Sequence, residues 1–137
     1  MYIIFDEQIV DSEEIKDLIE KNSDFKVEKD MCKATKREDV LAYLLTLDID
    51  LVKREIEEEY DLQSMEIEDL FEEYMQISEE KCLELEEIMP KYSIMNARCY
   101  KLDMSENKIK TVVAIAHTDL GVLKLSDVVK RLLSETD

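Results

Sequence analysis

The chain has 137 residues, 45% of them hydrophobic, with 35 acids, 18 bases and a formal net charge of −17. That length and apolar content fit one domain with a buried core and exclude a chain disordered by composition. The charge argues against direct contact with nucleic acid or an anionic membrane, both of which repel it, and favours a basic partner.

In chain order, residues 2–5 read as a strand. Residues 12–22 predict a helix with Ile15, Leu18 and Ile19 at helical spacing; Asp11 or Ser12 caps it, and Glu13 and Glu14 suit its positive end. Phe25 and Val27 alternate with lysines, which predicts a second strand over 25–34. Thr35-Lys36-Arg37-Glu38 has the form of a capping box, and predicts a helix carrying Val40, Leu41, Tyr43, Leu44, Leu45 and Leu47. Asp48 or Asp50 caps the next helix, with Ile49, Val52, Ile56 and Tyr60 on one face. Another helix turns Ile67, Leu70, Phe71 and Tyr74 inward. A further one starts at Ser78, turns Cys82, Leu85, Ile88 and Met89 inward, and stops at Pro90.

The pattern then changes. Residues 94–103 and 108–117 read as strands, and the apolar run 112–116 is typical of a strand covered on both faces. Ser126 caps a last helix with Val128, Val129, Leu132 and Leu133. The expected fold is α+β. A mainly antiparallel sheet of about four strands, near 2–5, 25–34, 94–103 and 108–117, carries helices on one face and a helical insertion over about 37–89. The whole is one domain, 1–137, with 37–89 as a helical subdomain bearing the acidic surface.

The charge is uneven. Residues 55–89 hold fifteen acids and one base, Lys81, while the other 102 residues hold 20 acids and 17 bases. One quarter of the chain therefore carries −14 of the −17. Ten acid–acid pairs lie three or four residues apart in this segment. At about 0.2–0.5 kcal/mol each, helical repulsion costs roughly 2–5 kcal/mol before screening, a large part of the ~5–15 kcal/mol that holds a domain folded. Laid out as one helix of roughly 50 Å, the segment carries about one net charge per 3.7 Å, close to the ~3.4 Å phosphate spacing of one DNA strand. Helical geometry predicts one outward stripe of Glu66, Asp69 and Glu73, and another of Glu80, Glu84 and Glu87. Glu58, Glu59, Asp61 and Glu72 complete the expected partner-binding set.

Other chemistry is sparse. Cys32, Cys82 and Cys99 match no zinc or redox spacing and are expected as reduced thiols. His117, the only histidine, ends an apolar strand. It is expected to make a local hydrogen bond; the rival reading is a general base oriented by Asp119. Asp48 and Asp50 fail the calcium-loop register, because the sixth position is Lys53 rather than glycine. One glycine, Gly121, is too few for a phosphate or oxyanion loop. Hence no catalytic residue, metal ligand or cofactor is assigned. Tyr43, Tyr60, Phe71 and Tyr74 are expected in the core. The N-terminal residues lack the basic start of a secretory leader, which predicts a cytoplasmic protein.

In composition the chain resembles phage-encoded anti-defence inhibitors, the anti-CRISPR and anti-restriction proteins, many of which are small and acidic. It also resembles some toxin-neutralising immunity proteins. The likeness is compositional and transfers no functional residues. The expected function is that of a non-enzymatic acidic protein that occludes a basic, nucleic-acid-binding cleft of a partner enzyme or nuclease. The alternative is an adaptor or immunity protein without nucleic-acid mimicry.

Overall fold

A computed structural model describes residues 1–136. Strands β1 (Tyr2–Phe5) and β2 (Gln8–Asp11) form an antiparallel hairpin. Its turn places Asp6 in the left-handed region, at φ 57°. Ile3, Phe5 and Val10 face the core, while Tyr2, Ile4 and Ile9 face out. Helix α1 (Ser12–Asn22) follows, capped by Asp11, whose carboxylate accepts the Glu13 N–H at 3.1 Å. The larger sheet holds β3 (Lys26–Asp30), β4 (Val40–Asp48), β5 (Ser93–Asp103) and β6 (Lys108–His117), antiparallel throughout and ordered β3-β4-β6-β5. Between β4 and β5 lie α2 (Ile49–Glu59), α3 (Ile67–Leu83) and a short 3-10 turn, Glu84–Ile88. Helix α4 (Val122–Ser134) is the last element.

The α+β class and the four-stranded antiparallel sheet match the sequence expectation. Its membership differs: residues 2–5 pair in the separate hairpin, and 40–48, expected as helix, form the central strand. Every residue from Val40 to Leu47 is buried. Leu41, Tyr43, Leu45 and Leu47 pack on one side of the sheet, and Val40, Ala42 and Leu44 on the other. A strand buried on both faces reads as an unbroken apolar run, so its period-2 signal disappears. The capping box does not form. Thr35 Oγ1 instead donates to the Cys32 carbonyl and accepts the Arg37 N–H, and Lys36 turns left-handed at φ 57°. The helical insertion is therefore shorter than 37–89 and begins at Ile49, where Asp48 caps α2 by accepting the Asp50 N–H at 2.9 Å.

Helices cover both faces of the sheet rather than one. α4 seats Leu125, Val128, Val129 and Leu132 against Val112, Ala114 and Ala116. The hairpin, α1, α2 and α3 cover the opposite face through Phe5, Ile15, Ile19, Val52, Ile56, Tyr74 and Cys82. Residues 112–116 thus form the doubly covered strand that their composition predicts. The last expected break also differs: Ser78 caps nothing. It is buried inside α3, and its hydroxyl donates to the Tyr74 carbonyl at 2.8 Å. The two helices expected over this stretch are one.

Candidate functional site

The acidic segment takes its form from that continuity. In one unbroken helix, Asp69, Glu73 and Glu80 follow at spacings of four and seven residues, and Glu84 comes four further on as the helical C-cap residue that opens the 3-10 turn. Such spacings keep side chains on one helical face. The two stripes that the sequence suggests separately therefore join. Glu66 begins this line as the N-cap residue of α3, although its side chain makes no capping bond. Glu87 falls in the 3-10 turn beyond the helix, so its direction no longer follows from α3.

Helix α3 packs beside α2, and a groove of about 430 Å³ runs between them. Glu55, Glu59, Glu73, Glu80 and Glu84 line it, with Gln76, Lys81, Ile56, Tyr60 and Ile77. The groove thus collects four of the expected residues, Glu59, Glu73, Glu80 and Glu84. A second concavity of about 280 Å³ takes Glu84 and Glu87 with Asp24 and Lys81. Glu58, Asp61, Glu66, Asp69 and Glu72 line neither and stand exposed on the surrounding surface. Of all ten expected residues, only Glu73 is half-buried; the rest are exposed.

Internal neutralisation is slight. Among the described residues, one ion pair reaches the acids of 55–89: Lys81 Nζ to Glu55 Oε1 at 2.6 Å. Gln76 also donates to Glu80 at 3.1 Å. Glu79 belongs to the scaffold, because its carboxylate accepts the Cys99 N–H of edge strand β5 at 3.1 Å. The acidic field is felt at Tyr74, whose phenol is pushed above its ordinary value by burial and then by Glu57 and Asp50.

The chain doubles back, so no single 50 Å rod of charge exists. Together α2 and α3 hold eleven acids and three bases, net −8. Over the ~25 Å length of α3 that is about one charge per 3 Å, still close to one strand of DNA. Only five of the ten close acid pairs lie wholly inside α2 or α3. The repulsion built into the helices falls accordingly to roughly 1–2.5 kcal/mol.

The aromatic expectation holds for Tyr43 and Tyr74, which are buried, and fails for Tyr60 and Phe71, which are 49% and 39% exposed. Ile67, also expected inward, is 70% exposed. α3 turns Tyr74, Ser78 and Cys82 to the core and leaves its first turn projecting. Apolar side chains therefore stand beside the carboxylates. Sequence reasoning missed Glu55 as a groove residue, because the groove is made by two helices meeting. It also missed the approach of Asp6 to His117 and Asp119, which lie far apart in the chain. His117 makes the expected local bond: its Nδ1 accepts the Asp119 N–H at 3.1 Å.

The three cysteines are buried thiols, and burial pushes Cys32 and Cys82 up to about 12 and Cys99 to about 11. No helix among the described residues is long and apolar enough to cross a membrane. Comparison with protein-family models, curated proteins and solved structures gives no match.

Proposed function

We propose that this protein binds, through the α2–α3 face, a basic cleft that its partner uses for nucleic acid, and so occludes it. The observation that carries this reading is the run Asp69, Glu73 and Glu80 along one face of α3, continued by Glu84 at its C-cap, with a single ion pair among the acids of 55–89 in the described residues. A strongly acidic face releases the counterions of a cationic groove, as nucleic acid does. Association is fast and salt-sensitive. Tyr60, Ile67 and Phe71 beside the acids supply the apolar contact that a plain polyanion lacks. In this reading the protein is a nucleic-acid mimic of the anti-CRISPR or anti-restriction kind, acts without a reaction of its own, and works where its partner works, in the cytoplasm.

The test is affinity capture from the native host at low and high salt, followed by elution with duplex DNA or RNA. The reading expects a basic nucleic-acid-binding protein that either polyanion or high salt displaces. Capture that ignores both would end it.

One observation favours a second reading, an adaptor or immunity protein without mimicry. The hairpin turns Tyr2, Ile4 and Ile9 outward together, with Ile4 directly opposite Ile9. Contact through that face predicts binding that survives high salt and is lost on Ile9→Glu.

A further inference from the structure

We propose that Asp6, His117 and Asp119 form a binding site for one divalent transition-metal ion of the zinc or manganese type. The three residues come from separate places. Asp6 sits at the left-handed turn of the β1–β2 hairpin, His117 ends β6, and Asp119 lies in the 3-10 turn that follows. One ligand atom from each lies within 4.8 Å of the other two.

The edge between two of the donors is already at coordination length. His117 Nδ1 stands 3.4 Å from Asp119 Oδ2. Two ligands on a tetrahedral ion with bonds of ~2.0–2.1 Å lie about 3.3 Å apart. The exposed Asp6 side chain closes the site by a change of rotamer. The imidazole is held in place from two sides: the Phe5 and Tyr92 rings each meet it edge-on, with centroids 6.1 Å away. Its Nδ1 carries its lone pair rather than a proton, because it accepts the Asp119 N–H at 3.1 Å, and a metal ion at this nitrogen takes the place of that hydrogen bond.

The electrostatics point the same way. Among the described residues neither Asp6 nor Asp119 pairs with a lysine or arginine. Two carboxylates converge on one imidazole with no fixed cation between them, and a metal ion relieves that repulsion. One nitrogen and two oxygen donors suit zinc or manganese, and leave at least one position open to water. Calcium and magnesium prefer oxygen alone. The acids of α2 and α3 offer no equivalent: among the described residues this is the one group of three such donors that comes together. Bound metal would tie the N-terminal hairpin to the end of the central sheet, and would stabilise the folded chain by mass action.

The chain's single histidine gives a unique reporter. In an NMR titration of the full chain with zinc chloride, the His117 ring signals and the Asp6 and Asp119 amides should shift together and saturate at one equivalent. Manganese chloride should broaden the same signals before any in 55–89. Asp6→Asn and Asp119→Asn should each weaken zinc binding by about tenfold or more while the β4 and β6 amides stay unmoved. The proposal is overturned if zinc leaves the His117 ring unmoved, or if either variant binds zinc as the unaltered chain does.

Discussion

β4 and β6 bury every residue from Val40 to Leu47 and from Thr111 to Ala116, whereas the seventeen residues of α3 bury three, Tyr74, Ser78 and Cys82. The sheet centre is apolar on both sides and is locked by nine paired positions between β4 and β6. The α2–α3 pair hangs on one side of that sheet by a short row of contacts and carries acids over the rest of its surface. Stability and charge are thus separated in space. A core covered on both faces can hold a repulsive surface element folded, and the acids need not be neutralised from within. Changes at the centre should act on the whole fold, and changes on the helices on local order and partner binding.

The largest effect is expected at the centre. Leu45→Ala removes a fully buried side chain from the middle strand and should cost roughly 2–5 kcal/mol in a urea titration. Ile67→Ala on the exposed start of α3 should stay within about 0.5 kcal/mol. Equal costs would contradict the contrast. Next comes Tyr74→Ala, which removes the main buried anchor of α3. Amide exchange should speed up along α3 and leave β4 and β6 protected.

Smaller effects concern charge. Added salt should screen the helical repulsion and so raise the stability measured by urea titration by up to about 1–2.5 kcal/mol. Asp69→Asn with Glu73→Gln should reduce that salt response. Smallest of all is the response at Asp30. Its burial opposes the charged form, but the Cys32 N–H and thiol and the Ser12 hydroxyl outweigh this and hold its carboxyl below the ordinary 3.8. A group depressed on folding stabilises above its unfolded value and loses that contribution as pH falls through the folded one. Acid titrations of the wild type and Asp30→Asn should therefore keep a constant offset above about pH 4 and converge as pH falls below it. Parallel curves throughout would show that Asp30 does not contribute.

Much of the fold is legible because amphipathic elements announce themselves. α1 and α2 each pair a one-sided apolar stripe with clear end signals, and Asp11 and Asp48 cap as their positions suggest; α4 shows its stripe, but it starts at Val122 after Gly121, so Ser126, expected as its cap, lies inside the helix. β4 is not legible, since eight neighbouring buried residues fit a buried helix and a buried strand equally well. The continuity of α3 is hidden by Ser78, whose Ser-Glu-Glu context reads as a cap until its hydroxyl is seen bonding backward to Tyr74. The charge imbalance of the site is legible residue by residue. Its geometry is not, because the groove requires α2 to lie against α3, and that depends on which side chains α3 buries. The Asp6–His117–Asp119 corner depends on where the hairpin docks, which no local pattern encodes.

The most direct measurement is the salt dependence of affinity for the captured partner, comparing the wild type with a folded Asp69→Lys, Glu73→Lys, Glu80→Lys protein. If the α2–α3 face engages a cationic cleft, wild-type affinity falls steeply with salt, and the variant binds more weakly with a shallower slope. Equal affinity and equal slope in the two proteins would contradict it.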